Sequence, residues 1–198
     1  MGNKDKKEVI IIAGANGSGK TTFARKFLDV THYKFLNADE FAKEMSPGNP
    51  ALARINAGKK VIQSIKELII KEESFVLEST LSGSFLKKHL KELKDHNYKI
   101  KLTYIFLASR QLCIERIKSR VLQGGHDIPD EDVIRRFNRG LIRFWQEYRI
   151  QADYYSVFFN NEFYDFKQIA QGKQEELEII SEPLFKEFIS ILEDLENE

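Results

Sequence analysis

The chain has 198 residues, of which 42% are hydrophobic, so it can bury the core of one domain. Its 31 basic and 30 acidic side chains leave a formal net charge of +1, which predicts no general attraction to nucleic acid or to a membrane surface. The single cysteine, Cys113, excludes an internal disulfide, and its apolar helical surroundings favour a packed thiol over a nucleophile. Neither a membrane-length apolar run nor a signal-peptide pattern occurs, so we expect a cytoplasmic protein.

Apolar runs alternate with helix-length segments along the chain, which is typical of α/β proteins. Several of the runs are almost continuously apolar, as strands are when helices cover both faces of a parallel sheet. We therefore predict a single three-layer α/β domain, 1–198, with a mainly parallel, five-stranded sheet. The predicted strands are 8–13, 33–37, 74–78, 99–107 and 154–159. The predicted helices are 20–29, 38–45, 51–72, 83–96, 109–122, 130–150 and 183–195.

The segments after the fifth strand are less regular. A hairpin between 165–170 and 176–180 would turn at Gln171-Gly172-Lys173. Together with the last predicted helix, these residues form an extension over about 163–198, which we expect to be mainly helical.

The first predicted strand runs directly into a GxxxxGK[ST] motif and then into a helix, which is the setting of a P-loop. Its glycines let backbone N–H groups turn around a phosphate chain, and the following helix adds its positive N-terminal end. Lys20 would reach the β- and γ-phosphates and Thr21 would bind Mg²⁺, so we predict ATP or GTP with Mg²⁺ as cofactors. The predicted nucleotide-binding residues are Gly14, Ala15, Asn16, Gly17, Ser18, Gly19, Lys20, Thr21 and Thr22.

Acidic residues follow the second predicted strand, where ligands of parallel sheets bind. Asp39 can accept the proton of an attacking hydroxyl, with Glu40 as the second choice for this base. The alternative is that Asp39 merely caps the helix that follows, and the two roles are compatible.

Glu78-Ser79-Thr80 ends the third predicted strand. An acid at the end of an apolar strand resembles a Walker B element, whose carboxylate orients Mg²⁺. Glu78 can instead bind a polar substrate, with the hydroxyls of Ser79 and Thr80 beside it. A structural alternative is that Ser82 caps the next helix and the other residues are linker.

Eight of the ten arginines lie between Arg110 and Arg149. Two helices joined at Gly124-Gly125 would form a lid over about 109–140, whose arginines stabilise charge on a transferring phosphoryl group. Some of these arginines must pair with acids one turn away. We expect at least two members of one group to face the phosphates: Arg120, Arg135, Arg136 and Arg139. For His126 we favour a loop-ordering hydrogen bond over a proton-shuttle role, and for Asn160-Asn161 an Asx turn over a contact with the nucleotide.

These segments together resemble the zeta-toxin-like P-loop kinases. The resemblance covers about residues 8–162, and it departs from the plasmid-type toxins in the GGHDIP segment and in the residues after Asp39. The matching segments are GANGSGKTTFA (14–24), NADEFA (37–42), SFVLESTLSG (74–83), RVLQGGHDIPDEDVIRRFNRG (120–140) and ADYYSVFFNN (152–161).

The resemblance implies a P-loop kinase fold and phosphoryl transfer from ATP with Mg²⁺. The best-known members phosphorylate the sugar of UDP-N-acetylglucosamine, and a small helical antitoxin blocks their nucleotide site. The residues that match functional positions of the family are Lys20 and Thr21 for the nucleotide, Asp39 for the base, Glu78 and Thr80 for the substrate, and Arg120 and Arg136 for the phosphates.

Three functions remain open at this stage. The first is transfer of the γ-phosphoryl group to a hydroxyl of a small molecule. The second is a nucleotide-driven switch that acts through a protein partner, for which the acidic C-terminal helix would be the docking surface. The third is a polynucleotide 5′-kinase, which the near-zero net charge disfavours, so we expect no nucleic-acid partner.

Overall fold

The computed structural model describes residues 7–125, 127–161 and 165–197. Within these ranges the strands form one sheet in the order β2-β3-β1-β4-β5-β6-β7, in which β1 to β5 are parallel and β6 and β7 are antiparallel. The strands are β1 Glu8–Gly14, β2 Lys34–Leu36, β3 Phe75–Ser79, β4 Lys99–Phe106, β5 Tyr154–Phe159, β6 Lys167–Lys173 and β7 Glu176–Ile179.

The α/β fold with a mainly parallel sheet is confirmed, but the sheet has seven strands in the described residues rather than five. The hairpin adds the other two, and its turn falls at Gln174, with φ 53°, instead of at 171–173. Gly172 lies inside β6, opposite Leu177 and Tyr155. A side chain at Gly172 would overlap the carbonyl oxygen of Glu176, so this glycine permits close packing and does not form the turn.

The helices closely follow their predicted positions. The 130–150 helix is the exception, because regular α-helix stops at Arg143 and continues as a π-helical turn, Phe144–Tyr148, and a 3₁₀ turn, Arg149–Gln151. The helices are α1 Lys20–Thr31, α2 Ala38–Met45, α3 Pro50–Lys71, α4 Phe85–Asp95, α5 Arg110–Leu122, α6 Asp130–Arg143 and α7 Glu182–Glu196.

The core lies on both faces of the sheet, which explains the continuous apolar character of β1. Ile10 and Ile12 point to the face that α1 covers, where they pack with Phe23. The intervening side chains, such as Ile11, point to the opposite face and join the main core. The last helix belongs to that core, since the ring of Phe188 packs edge-on against Phe106 at 5.2 Å between centroids. Residues 165–197 are therefore an integral part of the fold.

The sheet register brings the residues after three strands to one edge. Leu36 of β2 pairs with Leu77 of β3, so the next residues, Asn37 and Glu78, lie side by side. Ile12 of β1 pairs with Glu78 on the other side, shortly before the P-loop.

Among the described residues, no helix has both the length and the apolar character that crossing a bilayer requires.

Candidate active site

The P-loop connects β1 to α1 at the carboxyl edge of the sheet. Gly14 adopts φ +144°, and a side chain there would overlap the carbonyl oxygen of Ile105 in the neighbouring strand. Glycine is therefore required where the loop leaves the sheet. The loop closes with a turn in which the N–H of Ser18 donates to the carbonyl of Ala15 at 3.2 Å. Residues 14–22 thus run continuously from the end of β1 through the loop into the first turn of α1.

The side chain of Lys20 is folded back over the P-loop. Its side chain is buried, and Nζ donates to the carbonyl of Ala15 at 2.8 Å and lies 3.8 Å from the carboxylate of Glu78. Burial lowers the pKa of Lys20, while the negative charge of Glu78 opposes this shift. The ammonium is thus held at the start of α1, where it can meet the phosphates of a nucleotide.

Glu78 connects three segments of the chain. Its Oε2 accepts a hydrogen bond from the Thr21 hydroxyl and another from the side-chain amide of Asn37, both at 2.8 Å. Burial raises the pKa of this carboxyl, against the charge of Lys20 and the hydrogen bond from Thr21. Hydroxyl and carboxylate oxygens are the ligands that Mg²⁺ prefers, and Mg²⁺ commonly binds one or two protein carboxylates together with phosphates. The Thr21–Glu78 pair fits that ion, although no cluster of three metal-binding acids, histidines or cysteines occurs among the described residues.

Asn37, not Asp39, caps α2. Its side-chain oxygen accepts from the backbone N–H groups of Asp39 at 2.7 Å and Glu40 at 3.3 Å, and the helix begins at Ala38. The capping alternative for Asp39 is therefore wrong, because a residue inside the first turn cannot be the N-cap. The side chain of Asp39 faces the open space beside the P-loop instead.

Two cavities meet at the P-loop. The P-loop cavity, about 460 Å³, lies between the loop, α2 and α5, and the α3 cavity, about 450 Å³, lies between the loop, α3 and α6. Asp39 lines both cavities, as do Lys20 and Glu78. The shared wall is completed by Asn16 and Asn37. The wall between the two cavities therefore carries two carboxylates, those of Asp39 and Glu78.

The two catalytic arginine candidates face different cavities. Arg120 of α5 lines the P-loop cavity, whereas Arg136 of α6 lines the α3 cavity and donates to the side chain of Asn16 at 3.2 Å. Burial lowers the pKa of Arg136, and the charge of Asp132 opposes this effect. Arg135 pairs with Asp132 at 2.5 Å, and its side chain is 44% exposed.

Ser79 and Thr80 line the α3 cavity, as their predicted substrate role requires. Their hydroxyls also shape the turn after β3. The oxygen of Ser79 accepts from the N–H of Leu81 at 3.1 Å, and Thr80 shares a hydrogen bond with Ser82 at 2.8 Å. Ser82 does not cap α4, which begins at Phe85.

Several lining residues were not identified from the sequence. Arg25 and Lys43 line the P-loop cavity, beside Arg116 of the predicted lid, and Arg54 and Lys59 line the α3 cavity. Arg54 and Lys59 lie five positions apart on α3, and no sequence motif in this helix marks them as site residues. Arg54 lies 3.5 Å from Asp132 of α6, and both cations share a cavity with residues of the P-loop.

Two further predictions concern Cys113 and His126. Cys113 is buried, as expected for a packed thiol, and burial raises its pKa to about 12. His126 lies outside the described residues.

A larger cavity of about 800 Å³ lies elsewhere, between α1 and the β6–β7 hairpin. It contains none of the predicted site residues and its wall includes Phe23, Phe27 and Tyr154. Size alone does not identify a site, and the chemistry-bearing residues converge at the two smaller cavities.

The chain is similar to other proteins in sequence. An uncharacterized protein of Haemophilus influenzae is 35% identical over 130 residues, which are 66% of this chain and 92% of that protein. A cytidylate kinase of Saccharolobus islandicus is 28% identical over 90 residues, which are 41% of this chain and 48% of the kinase. The chain thus spans about half the length of this second relative.

The chain is also similar in fold to solved structures. A chain of the AvrRxo1-ORF1:-ORF2 complex with ATP has a TM-score of 0.75 and 16% identity, covering 92% of this chain and 63% of that chain. A structure from the PezAT chromosomal toxin–antitoxin system of Streptococcus pneumoniae has a TM-score of 0.65 and 16% identity, covering 99% of this chain and 88% of that one.

At such low identity these likenesses concern the fold, and at that level they confirm the resemblance to zeta-toxin-like P-loop kinases. The sequence profile of the AAA domain family AAA_33 matches residues 9–142, which include the P-loop, the Asn37–Asp39 segment, Glu78 and both helices of the arginine-rich region. The chain therefore belongs to the AAA_33 family and has the fold of a P-loop kinase.

Proposed function

We propose that this protein is a phosphotransferase that moves the γ-phosphoryl group of ATP or GTP to a hydroxyl of a small molecule. The observation that carries the proposal is the position of Asp39 on the wall between two cavities. A nucleotide switch needs only the P-loop cavity, whereas transfer to an acceptor needs a second binding space beside the terminal phosphate. The α3 cavity supplies that space.

The residues support the following sequence of events. The nucleotide lies on the P-loop, with Lys20 and Arg120 at its phosphates. The acceptor hydroxyl attacks the γ-phosphorus, its proton passes to Asp39, and the bond from the γ-phosphorus to the β–γ bridging oxygen breaks to leave the nucleoside diphosphate. Thr21 and Glu78 would hold Mg²⁺, which offsets negative charge on the phosphates when bound. Arg136 adds positive charge from the acceptor side.

The lining of the α3 cavity supports an acceptor with both an anionic and an apolar part. Arg54, Lys59 and Arg136 supply positive charge, and Ile62 and Phe85 supply apolar surface. A UDP-N-acetyl sugar has a diphosphate, a flat base and free hydroxyls, so it meets these requirements. The resemblance to zeta toxins points to the same substrate, and it also leads us to propose a small helical antitoxin as a partner.

Mass spectrometry of a metabolite extract tests the transfer. The extract is incubated with ATP, Mg²⁺ and the native chain, or with Lys20→Ala, or with Lys88→Ala as a matched control at an exposed lysine of α4. We expect a new phosphorylated alcohol with the native chain and the control but not with Lys20→Ala. Nucleotide hydrolysis without any new phosphorylated species would instead favour the switch.

Pure UDP-N-acetylglucosamine tests the finer proposal. If its diphosphate binds at Arg54, Arg54→Gln raises the KM for this acceptor about tenfold or more, since a charge-assisted hydrogen bond is lost, and leaves the KM for ATP unchanged. Absence of transfer to this compound, with transfer to another metabolite in the extract, would contradict the proposal that the acceptor is a sugar nucleotide. The proposal that the protein is a phosphotransferase would still stand.

A further inference from the structure

Two backbone carbonyls of the P-loop are held from outside by side chains that are distant in sequence. Ser18 O accepts a hydrogen bond from the side-chain amide of Asn160 at 2.8 Å, across 142 positions of the chain. Gly17 O faces the guanidinium of Arg116 at 3.5 Å.

The contact with Ser18 sets the direction of the next N–H group. In a trans peptide the carbonyl of one residue and the N–H of the next point to opposite sides. Holding Ser18 O toward Asn160 therefore directs the N–H of Gly19 away from Asn160, and Gly19 lines the P-loop cavity. Gly19 has φ +91°, and a side chain there would lie 2.7 Å from the amide nitrogen of Asn160. The amide group of Asn160 thus packs directly against the turn that precedes Lys20.

Asn160 is itself firmly anchored. It is completely buried, and its own N–H donates to Phe106 O at 3.0 Å, just beyond the end of β5. One guanidinium nitrogen of Arg116 donates to Asn160 O at 2.7 Å and to Asn161 O at 2.9 Å. A single arginine of α5 therefore connects the residues after β5 with the P-loop.

The geometry of Asn160 differs from both interpretations based on the sequence, which were an Asx turn and a contact with the nucleotide. The side-chain nitrogen of Asn160 is engaged with the P-loop, and Asn160 belongs to the wall of neither cavity in the described parts of the chain. The side chain of its neighbour Asn161 accepts from the N–H of Ala108 at 3.0 Å and does not contact the loop.

From this geometry we infer that Asn160 is a positioning residue, which holds the P-loop with the N–H of Gly19 directed at the phosphates of the nucleotide. The inference rests on the proposed nucleotide-binding role of the loop. Arg116 fixes the backbone of Asn160 and so makes the lid helix α5 part of the same support. Asn160 acts through Ser18 and Gly19 and does not touch the substrates.

The test uses a matched pair of substitutions in the full chain. Asn160→Asp preserves the shape but replaces the donor with an oxygen, which faces the carbonyl oxygen of Ser18. Asn161→Asp makes the same change in charge one residue away and keeps the acceptor that Ala108 needs. We expect Asn160→Asp to weaken ATP binding in calorimetry about tenfold or more, and Asn161→Asp to change it by less than about threefold.

Hydrogen exchange of the nucleotide-free proteins gives an independent readout. Faster exchange in the 14–22 peptide of Asn160→Asp, with unchanged exchange in β4, is the expected result, since a general loss of stability would raise both. Asn160→Ala serves as a second variant if the aspartate prevents folding. Equal exchange and equal ATP affinity in the Asn160 variants and the native chain would overturn the role of Asn160. Failure of the native chain to bind any nucleotide would overturn the proposed function instead. The exchange experiment would still test whether Asn160 holds the P-loop.

Discussion

The hydroxyl of Thr21 donates a 2.8 Å hydrogen bond to the carboxylate of Glu78, which joins the start of α1 to the end of β3. The two residues are 57 positions apart, and the parallel pairing of β1 with β3 brings them together. The bond places a buried carboxylate beside a hydroxyl that the P-loop motif assigns to Mg²⁺. Its consequences can be measured in stability and in binding.

Stability should depend on pH through Glu78. Burial raises its folded-state pKa above the unfolded value, so between these two values the folded protein binds more protons than the unfolded chain. The free energy of unfolding contributed by this group therefore falls as pH rises from about 4, the usual range of Glu, through the raised pKa. Urea denaturation of the native chain and of Glu78→Gln over this interval should show a native-minus-variant difference that falls with pH. A difference that rises with pH would contradict the burial argument.

Mg²⁺–nucleotide binding should follow the opposite trend, because the ion requires the ionised carboxylate. We expect affinity for ATP with Mg²⁺ to increase with pH through the raised pKa of Glu78, and calorimetry at several pH values measures this. Glu78→Gln should lack that increase. The same pH profile in the native chain and the variant would contradict the proposal that Glu78 binds Mg²⁺.

Asp39→Asn should separate binding from transfer. Loss of the base is expected to lower the rate of phosphoryl transfer about 10²–10⁴-fold, while ATP affinity changes little. Glu40→Gln is the matched control, since both acids lie in the first turn of α2 and only Asp39 lines the α3 cavity. Steady-state transfer rates and ATP titrations of both variants make the comparison. Slow transfer in Glu40→Gln with normal transfer in Asp39→Asn would exchange the two assignments.

Gly140 should be intolerant of any side chain. A methyl group there would overlap the carbonyl oxygen of Thr80, so Gly140→Ala is expected to cost about 1–3 kcal/mol of unfolding free energy and to displace one wall of the α3 cavity. Gly58→Ala is the same change in α3, where the added methyl meets no atom within 4 Å apart from its own stretch of helix. It should stabilise by about 0.5–1 kcal/mol, since alanine has the better helix propensity. Urea denaturation of both variants is the measurement, and equal stabilities would contradict the close approach of α6 to Thr80.

Phe188 should be essential for the whole domain. Its ring is fully buried and packs against Phe106 and Trp145, with centroids 5.2 and 5.4 Å apart. Phe188→Ala should cost about 3–5 kcal/mol, whereas Ile70→Ala, at a side chain that is 81% exposed, should change stability by about 0.5 kcal/mol or less. Thermal denaturation followed by circular dichroism would detect both. A single unchanged transition in Phe188→Ala would mean that α7 is not part of the core.

The sequence by itself was sufficient for the P-loop motif, for the positions of the parallel strands and of most helices along the chain, and for the acids after the second and third strands. These features follow from local rules, since the loop is a contiguous motif, strands and helices have their own periods, and ligands of parallel sheets bind at the carboxyl ends. The turn of the hairpin was predicted too early, because glycine is a common turn residue. Gly172 instead lies inside β6, where the absence of a side chain leaves room for Tyr155.

Only the tertiary structure decided how these parts meet. It placed Asp39 between two cavities, one of which is also lined by Arg54 of α3. It also brought Arg136 to Asn16 across 120 positions and Asn160 to Ser18 across 142. Contacts at such separations depend on how sheet order and helix packing close the chain on itself, and no local pattern of residues encodes them.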